Sequence, residues 1–403
     1  MLFPAAAGLT RRLPEGSPPA NPTWLGIARP PTPTKLGFPS PQRARYCEHV
    51  ASEWKRQRCR ERVEVLADSS ADLDVLRREA IEILQATIGF DRWCSLLLDP
   101  DTLVISHGIG HNDWSCDLPH LNLHEAGLGD VNNHAMLARG RNHVGVLSAA
   151  TGGDLARAGR WRNVFTHYGV GDELACVATD EQGNWGDFRF YRNSDDAPFS
   201  AEDAQLMRTV SSALARALRR RAVTPIDGPA VAPAEMGVLL LDAQLRPCGA
   251  TNAARAWLHA LNPADTPYPD GIPGLVWNVV GRLTAIERGE DPERPARVRA
   301  RCAHGGWAIV EAARLDGSAA GVAVSIRAAG VDDVLGLVSR ASGLTPRECQ
   351  LVALLIEGLD TRGLAERLVI SRHTVQDHLK SVFEKVGVRS RRELVSSVFA
   401  QAS

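Results

Sequence analysis

The window from Arg372 to Lys380 concentrates side chains suited to hydrogen bonding with nucleobases: Arg372, His373, Thr374, Gln376, Asp377 and Lys380 all fall within it. A glutamine amide can pair with the edge of adenine, a carboxylate can accept from the amino group of cytosine, and a lysine ammonium can reach guanine or a phosphate. Thr374, with the first backbone N–H groups of a helix starting here, would grip a phosphate oxygen, which fixes register without reading sequence. Beyond them, Arg389, Arg391 and Arg392 offer cations to phosphates beside the same groove. Two plainer roles compete locally: Asp377 can pair with Lys380 on the helix surface, and His378 can pack inward.

A second group could do different chemistry. His107, His111, Cys116, His120, His124, His134 and His143 crowd one segment, and imidazole and thiolate are the usual ligands of zinc and haem iron. No pair has a recognised helix or knuckle spacing, so the expected arrangement is a solvated loop of histidines with no metal and no cofactor. Gly152-Gly153 is expected to be a turn before a helix, since no Gly-x-x-x-x-Gly-Lys-Ser/Thr cradle occurs in the chain. Nothing here reads as an enzyme.

The base-reading window needs elements to hold it. Thr345-Pro346-Arg347-Glu348 is a capping box with proline at the first helical position, so a helix starts there, buries Leu351, Leu354 and Leu355, and stops at Gly358. Asp360 caps a second helix carrying Leu364, Ala365 and Leu368. After a tight turn through Val369-Ile370, Ser371 caps a third, which makes the pair a helix-turn-helix. On that third helix Val375, Leu379, Val382, Phe383 and Val386 form one apolar stripe, leaving the base-reading residues on the opposite face. Ser390-Arg391-Arg392-Glu393 predicts another capping box and a fourth helix with Leu394, Val395, Val398 and Phe399.

The run LTPRE, EGLDTRGLAERL, SRHTVQDHLKSVFEKVGVRSRREL resembles the LuxR/NarL four-helix DNA-binding domain nearly end to end. That resemblance implies an all-α bundle on double-stranded DNA, with Gln376, Asp377 and Lys380 at base-reading positions and the fourth helix helping a homodimer form on a pseudo-palindromic site. Gly363 departs from the usual pattern and costs the second helix about 1 kcal/mol relative to alanine.

The 403 residues are enough for several domains, and 46 Lys plus Arg against 47 Asp plus Glu leave no overall field drawing the chain to nucleic acid or membrane. From Arg340 onward the balance is locally basic, ten against seven. Eight scattered cysteines without a CxxC pair fit a reducing cytoplasm, no apolar run reaches the ~20 residues that cross a bilayer, and an apolar stretch ahead of Arg11-Arg12 has the wrong order for a secretory signal. Residues 1–42 hold ten of the 24 prolines and are expected to be disordered.

Helical spacing from Arg43 leads into a predicted hairpin, Phe90–Leu98 and Leu103–Ser106 about Asp99-Pro100-Asp101-Thr102. A helix carrying Leu155, Trp161, Val164 and Phe165 follows, then a second hairpin, Glu173–Thr179 and Asn184–Tyr191, and a helix capped by Ser200 and Asp203. This layout resembles a GAF-type α/β sensor, placed at 43–222 with its helical lead-in. Strand Gly237–Asp242, helix Thr251–Leu258, and alternating strands at Val298–Cys302, Trp307–Ile309 and Val322–Ile326 are similar to an α+β PAS domain, 231–330, ahead of the helix-turn-helix at 338–403.

The combined expectation is a multidomain cytoplasmic transcription regulator, responsive to a small-molecule ligand or a partner and working with RNA polymerase. No phosphoacceptor receiver pattern is present, and four tyrosines are too few for the Trp- and Tyr-rich acyl-homoserine-lactone pocket. The promoter-melting helix of a sigma factor is also missing. Two rivals stay open: a metal-dependent enzyme built on the histidine segment, and a scaffold whose terminal bundle binds protein alone.

Overall fold

A computed structural model describes residues 40–114, 117–127, 129–224, 233–261, 271–303, 305–316 and 321–402. The chain divides into two compact units, residues 1–55 and 56–403. The described part of the first unit is the opening of helix α1 (Ser40–Ala67), so the expectation of disorder over 1–42 lies outside the described residues except at 40–42, which are helical.

In the second unit, Cys59, Val63 and Leu66 of α1 and the apolar face of α2 (Leu73–Ile88) enter one core. Strands β1 (Arg92–Leu98) and β2 (Ile105–His111) follow, then α3 (Leu118–Glu125), α4 (His134–Arg139), β3 (Val144–Val146), α5 (Leu147–Thr151) and α6 (Gly159–Asn163). The long hairpin β4 (Val170–Asp180) and β5 (Gly183–Asn193) and helix α7 (Ala201–Ala222) complete an antiparallel sheet of order β2-β1-β5-β4-β3. The twofold repeat of a strand sends Leu174, Cys176, Phe188 and Phe190 into the core with α2 and α7. Alternate residues Glu173, Asp187 and Arg189 go to the other face.

That second face is buried too, and it is ionic. Arg189 donates to Asp187 at 2.7 Å and to Glu173 and Glu125 at 2.8 Å, while Arg160 pairs with Glu173 and lies 3.4 Å from Glu125. Burial resists the charge on Glu125, but Arg189 and Arg160 outweigh it and hold this carboxyl far below its usual range. The predicted continuous helix over Leu155–Phe165 is instead broken into short turns around α6. Asp130 accepts the backbone N–H groups of Gly159 and Arg160 at 2.8 and 2.7 Å, capping a new helical start in mid-segment.

The second sheet contains β6 (Gly237–Leu241), β7 (Pro247–Ala250), β8 (Arg297–Arg301), β9 (Trp307–Arg314) and β10 (Val322–Ala328), antiparallel in the order β7-β6-β10-β9-β8. Helices α8 (Asn252–Leu261) and α9 (Gly274–Glu287) pack on it. Sequence reading missed β7 and α9. The latter is apolar around most of its circumference because one side meets β8 and β9 and another meets α3. A Cβ at Gly281 would stand 2.7 Å from the Asn122 carbonyl, so only glycine permits this close approach.

Helix α10 (Val331–Ala341) leads from the second sheet into the terminal helices. Turns of the first sheet hold its end: Arg340 donates to Asp101 at 2.6 Å and to the Gln182 carbonyl at 3.3 Å, and Arg219 of α7 donates to the Ala341 carbonyl at 2.6 Å. Four helices follow, α11 (Pro346–Ile356), α12 (Thr361–Leu368), α13 (Arg372–Val386) and α14 (Arg391–Ala402), and α14 packs against α10.

Candidate nucleic-acid interface

The bundle forms where its caps predict. Thr345 accepts the Glu348 N–H at 3.3 Å and Glu348 accepts the Thr345 N–H at 2.7 Å; Asp360 accepts from Gly363 at 2.8 Å, and Ser371 accepts from Thr374 at 3.1 Å. The fourth helix differs in detail. Ser390 accepts from Glu393 at 3.2 Å, but the Glu393 carboxylate reaches the Arg389 N–H at 2.7 Å, one residue before the reciprocal partner of a capping box. Leu351, Leu355, Leu364, Leu368, Val375 and Leu379 are among the residues that close the core. Gly387 ends α13 at φ 79°, a left-handed conformation that glycine adopts without strain.

The apolar stripe of α13 faces this core, with Val375, Leu379 and Val382 buried and Phe383 and Val386 partly so. On the opposite face Arg372, His373, Gln376, Asp377 and Lys380 are exposed, and Thr374 is half-buried with its hydroxyl 2.9 Å from that of Ser371. Asp377 pairs with His373 at 2.9 Å. His378 is partly buried, Arg389 and Arg392 are exposed, and Arg391 is half-buried with its guanidinium donating to the Thr361 hydroxyl at 2.9 Å. Gln376 donates to the same oxygen at 3.5 Å.

Three residues with positioning contacts escaped sequence reading. Ser381 and Lys385, one helical turn apart on α13, each donate to the Glu348 carboxylate at 2.7 Å, tying α13 to the first cap. Their i,i+4 spacing was the available signal. Thr361 had none beyond its place after a capping aspartate.

The histidines do not form the expected solvated loop, because the segment folds into β2, α3, α4 and the approach to β3. His107 lies on β2 beside Arg77, where burial and that guanidinium push its imidazole down to about 4; His134 is buried 3.5 Å from the Glu125 carboxylate. His143 bonds the Leu137 carbonyl at 2.9 Å. Among the described residues no group of three or more His, Cys, Asp or Glu side chains is arranged to hold a metal; Cys116 and the His120 side chain lie outside them. No helix among the described residues is long and apolar enough to cross a membrane.

The family model for bacterial regulatory proteins of the luxR family, GerE, matches residues 342–398. An HTH-type transcriptional regulator of Mycobacterium tuberculosis is 43% identical over 60 residues, which are 15% of this chain and 7% of that protein. The chain thus spans a small fraction of these mycobacterial relatives. The spore germination protein GerE of Bacillus subtilis is 36% identical over 52 residues, 13% of this chain and 70% of GerE. Among solved structures, a GAF domain of A. aeolicus in an inactive state aligns with 42% of this chain and 99% of that chain at 10% identity and a TM-score of 0.28, too low to carry any argument. The luxR model spans the helices that form the candidate interface, and GerE is matched over more than two thirds of its own length; the chain belongs to the luxR family of bacterial regulatory proteins.

Proposed function

We propose that this chain is a sequence-specific transcription regulator that lays α13 in the major groove of double-stranded DNA. The observation that carries the reading is the exposed polar face of α13, held outward by a buried stripe on the other side. Gln376, Asp377 and Lys380 read bases, Arg372 and His373 flank them, Thr374 grips a phosphate, and Arg389, Arg391 and Arg392 neutralise phosphates beside the groove. Asp377 pairs with His373, and the exposed Lys380 ammonium is open to the nucleic acid.

The rest of the chain is assigned to control: a GAF-like domain at 43–222, a PAS-like domain at 231–330 and the DNA-binding domain at 338–403. In this reading the protein acts in the cytoplasm as a homodimer on DNA, because joining two half-site readers raises effective concentration. A small-molecule ligand or protein partner sets the orientation of the terminal bundle, RNA polymerase receives the output, and no catalytic step is needed. Contacts of α10 with both the first-sheet turns and α14 support this route of control.

Genome-wide occupancy of the full chain tests the function. A recurrent motif at discrete promoters, lost in Gln376→Ala with Lys380→Ala, is expected; occupancy that follows accessible DNA without a motif would refute sequence-specific regulation.

A further inference from the structure

Three helices of the bundle meet at one oxygen. Thr361, in the first turn of α12, accepts hydrogen bonds at Oγ1 from Gln376 Nε2 of α13 at 3.5 Å and from Arg391 Nη2 of α14 at 2.9 Å, partners 15 and 30 residues away. A hydroxyl has two lone pairs, and these two donors fill them. We propose that Thr361 is a positioning residue for DNA recognition, orienting the Gln376 amide toward base edges and the Arg391 guanidinium toward a phosphate. The inference rests on the DNA-binding reading above and adds a residue which that reading does not use.

The valences fit. Bidentate pairing with adenine requires one donor and one acceptor from the same amide. With one N–H of Gln376 anchored on Thr361, the other N–H and Oε1 are both left, as that pairing demands. Arg391 has five N–H groups and spends one on Thr361, so the rest of the fork stays available for phosphate oxygens. Glutamine and arginine are rich in rotamers, and holding them before DNA arrives removes ordering cost from the binding step. Gln376 is exposed, and among the described residues this oxygen is the acceptor that ties its side chain to another helix.

The test uses the full-length chain and a pool of DNA duplexes with a randomised 20-bp core, the bound fraction being sequenced over successive rounds. Wild type enriches a motif. Thr361→Val, which keeps shape and removes the hydroxyl, relaxes preference at the Gln376-read base pair by about tenfold in each half-site while other positions hold. Thr361→Ser restores it. In a Gln376→Ala background, adding Thr361→Val changes that position no further, as expected when one residue acts through the other. Thr361→Ala provides a second truncation should valine disturb α12, and circular dichroism checks that each variant is folded. An unchanged motif in both folded truncations, failure of serine to restore, or simple additivity with Gln376→Ala would overturn the positioning role alone. If wild type enriches no motif, the DNA-reading assignment falls and this inference falls with it.

Discussion

Lys385 of α13 donates to the Glu348 carboxylate of α11 across 2.7 Å, and that same carboxylate caps its own helix through the Thr345 N–H. One buried group therefore starts the first helix of the bundle and fixes the rotation of the helix proposed to read DNA. Removing it should cost more than an ordinary cap. Glu348→Ala is expected to lower bundle stability by about 2–3 kcal/mol, measured by urea unfolding, because it loses the cap and leaves its former donors without an acceptor.

Acid should erase that difference. Burial resists ionisation of Glu348, but the donors from Lys385, Ser381 and Thr345 outweigh it and hold the carboxyl at about 2, below its ordinary 4.5. A folded-state value below the unfolded one gives stability that is complete above about 4.5 and is lost as pH falls toward 2. The gap between wild type and Glu348→Ala should therefore shrink between neutral pH and pH 3. A constant gap would place the stabilisation elsewhere.

Val369 closes the turn of the helix-turn-helix at φ 55°, ψ 50°, with 88% of its surface exposed. A β-branched residue is strained there, and its exposed side chain recovers little by packing. Val369→Gly should raise stability by about 1 kcal/mol and leave DNA affinity unchanged, a combination that chemical denaturation and a binding titration check together.

Arg189 is surrounded by Asp187, Glu173 and Glu125, all buried. Arg189→Leu would strand carboxylates without their main counter-charge, at a cost of about 3–5 kcal/mol. The first sheet should then melt well below the wild-type temperature; an unchanged melting temperature would show that solvent or protons already serve these acids.

Asp101 joins the first-sheet turn to Arg299 of β8 and to Arg340 of α10. Burial opposes its charge, yet Arg299 and Arg340 keep the carboxyl below its usual 3.8. Asp101→Asn should speed hydrogen exchange across residues 331–341 at neutral pH. In wild type, exchange there should quicken only as pH falls below about 3.8, after correction for intrinsic rates.

Local signals made the bundle legible in sequence. Thr345, Asp360 and Ser371 cap their own helices, and the stripe Val375–Val386 lies on one element, so spacing alone fixes the helices and the exposed face. What escaped depends on partners far away in the chain. Helix α9 is apolar on several sides because α3 covers it, and the break before α6 comes from Asp130, some thirty residues upstream. The histidine segment looked polar and loop-like, yet His107 is a strand residue beside Arg77 and His134 faces a buried glutamate; no local pattern announces either neighbour. Thr361 was invisible for the same reason, its significance lying in donors from two other helices.

The central claim is that α13 and the arginines beside it bind duplex DNA through phosphates and base edges, and the salt dependence of affinity measures this most directly. Fluorescence anisotropy of the full chain on an enriched duplex should give a steep linear fall of log K with log salt. Arg392→Ala, removing a cation assigned to a phosphate, should make that slope shallower by about one unit, whereas Gln376→Ala should keep the slope and lose sequence preference. Affinity that is absent at low salt, or that does not change with salt, would contradict the account.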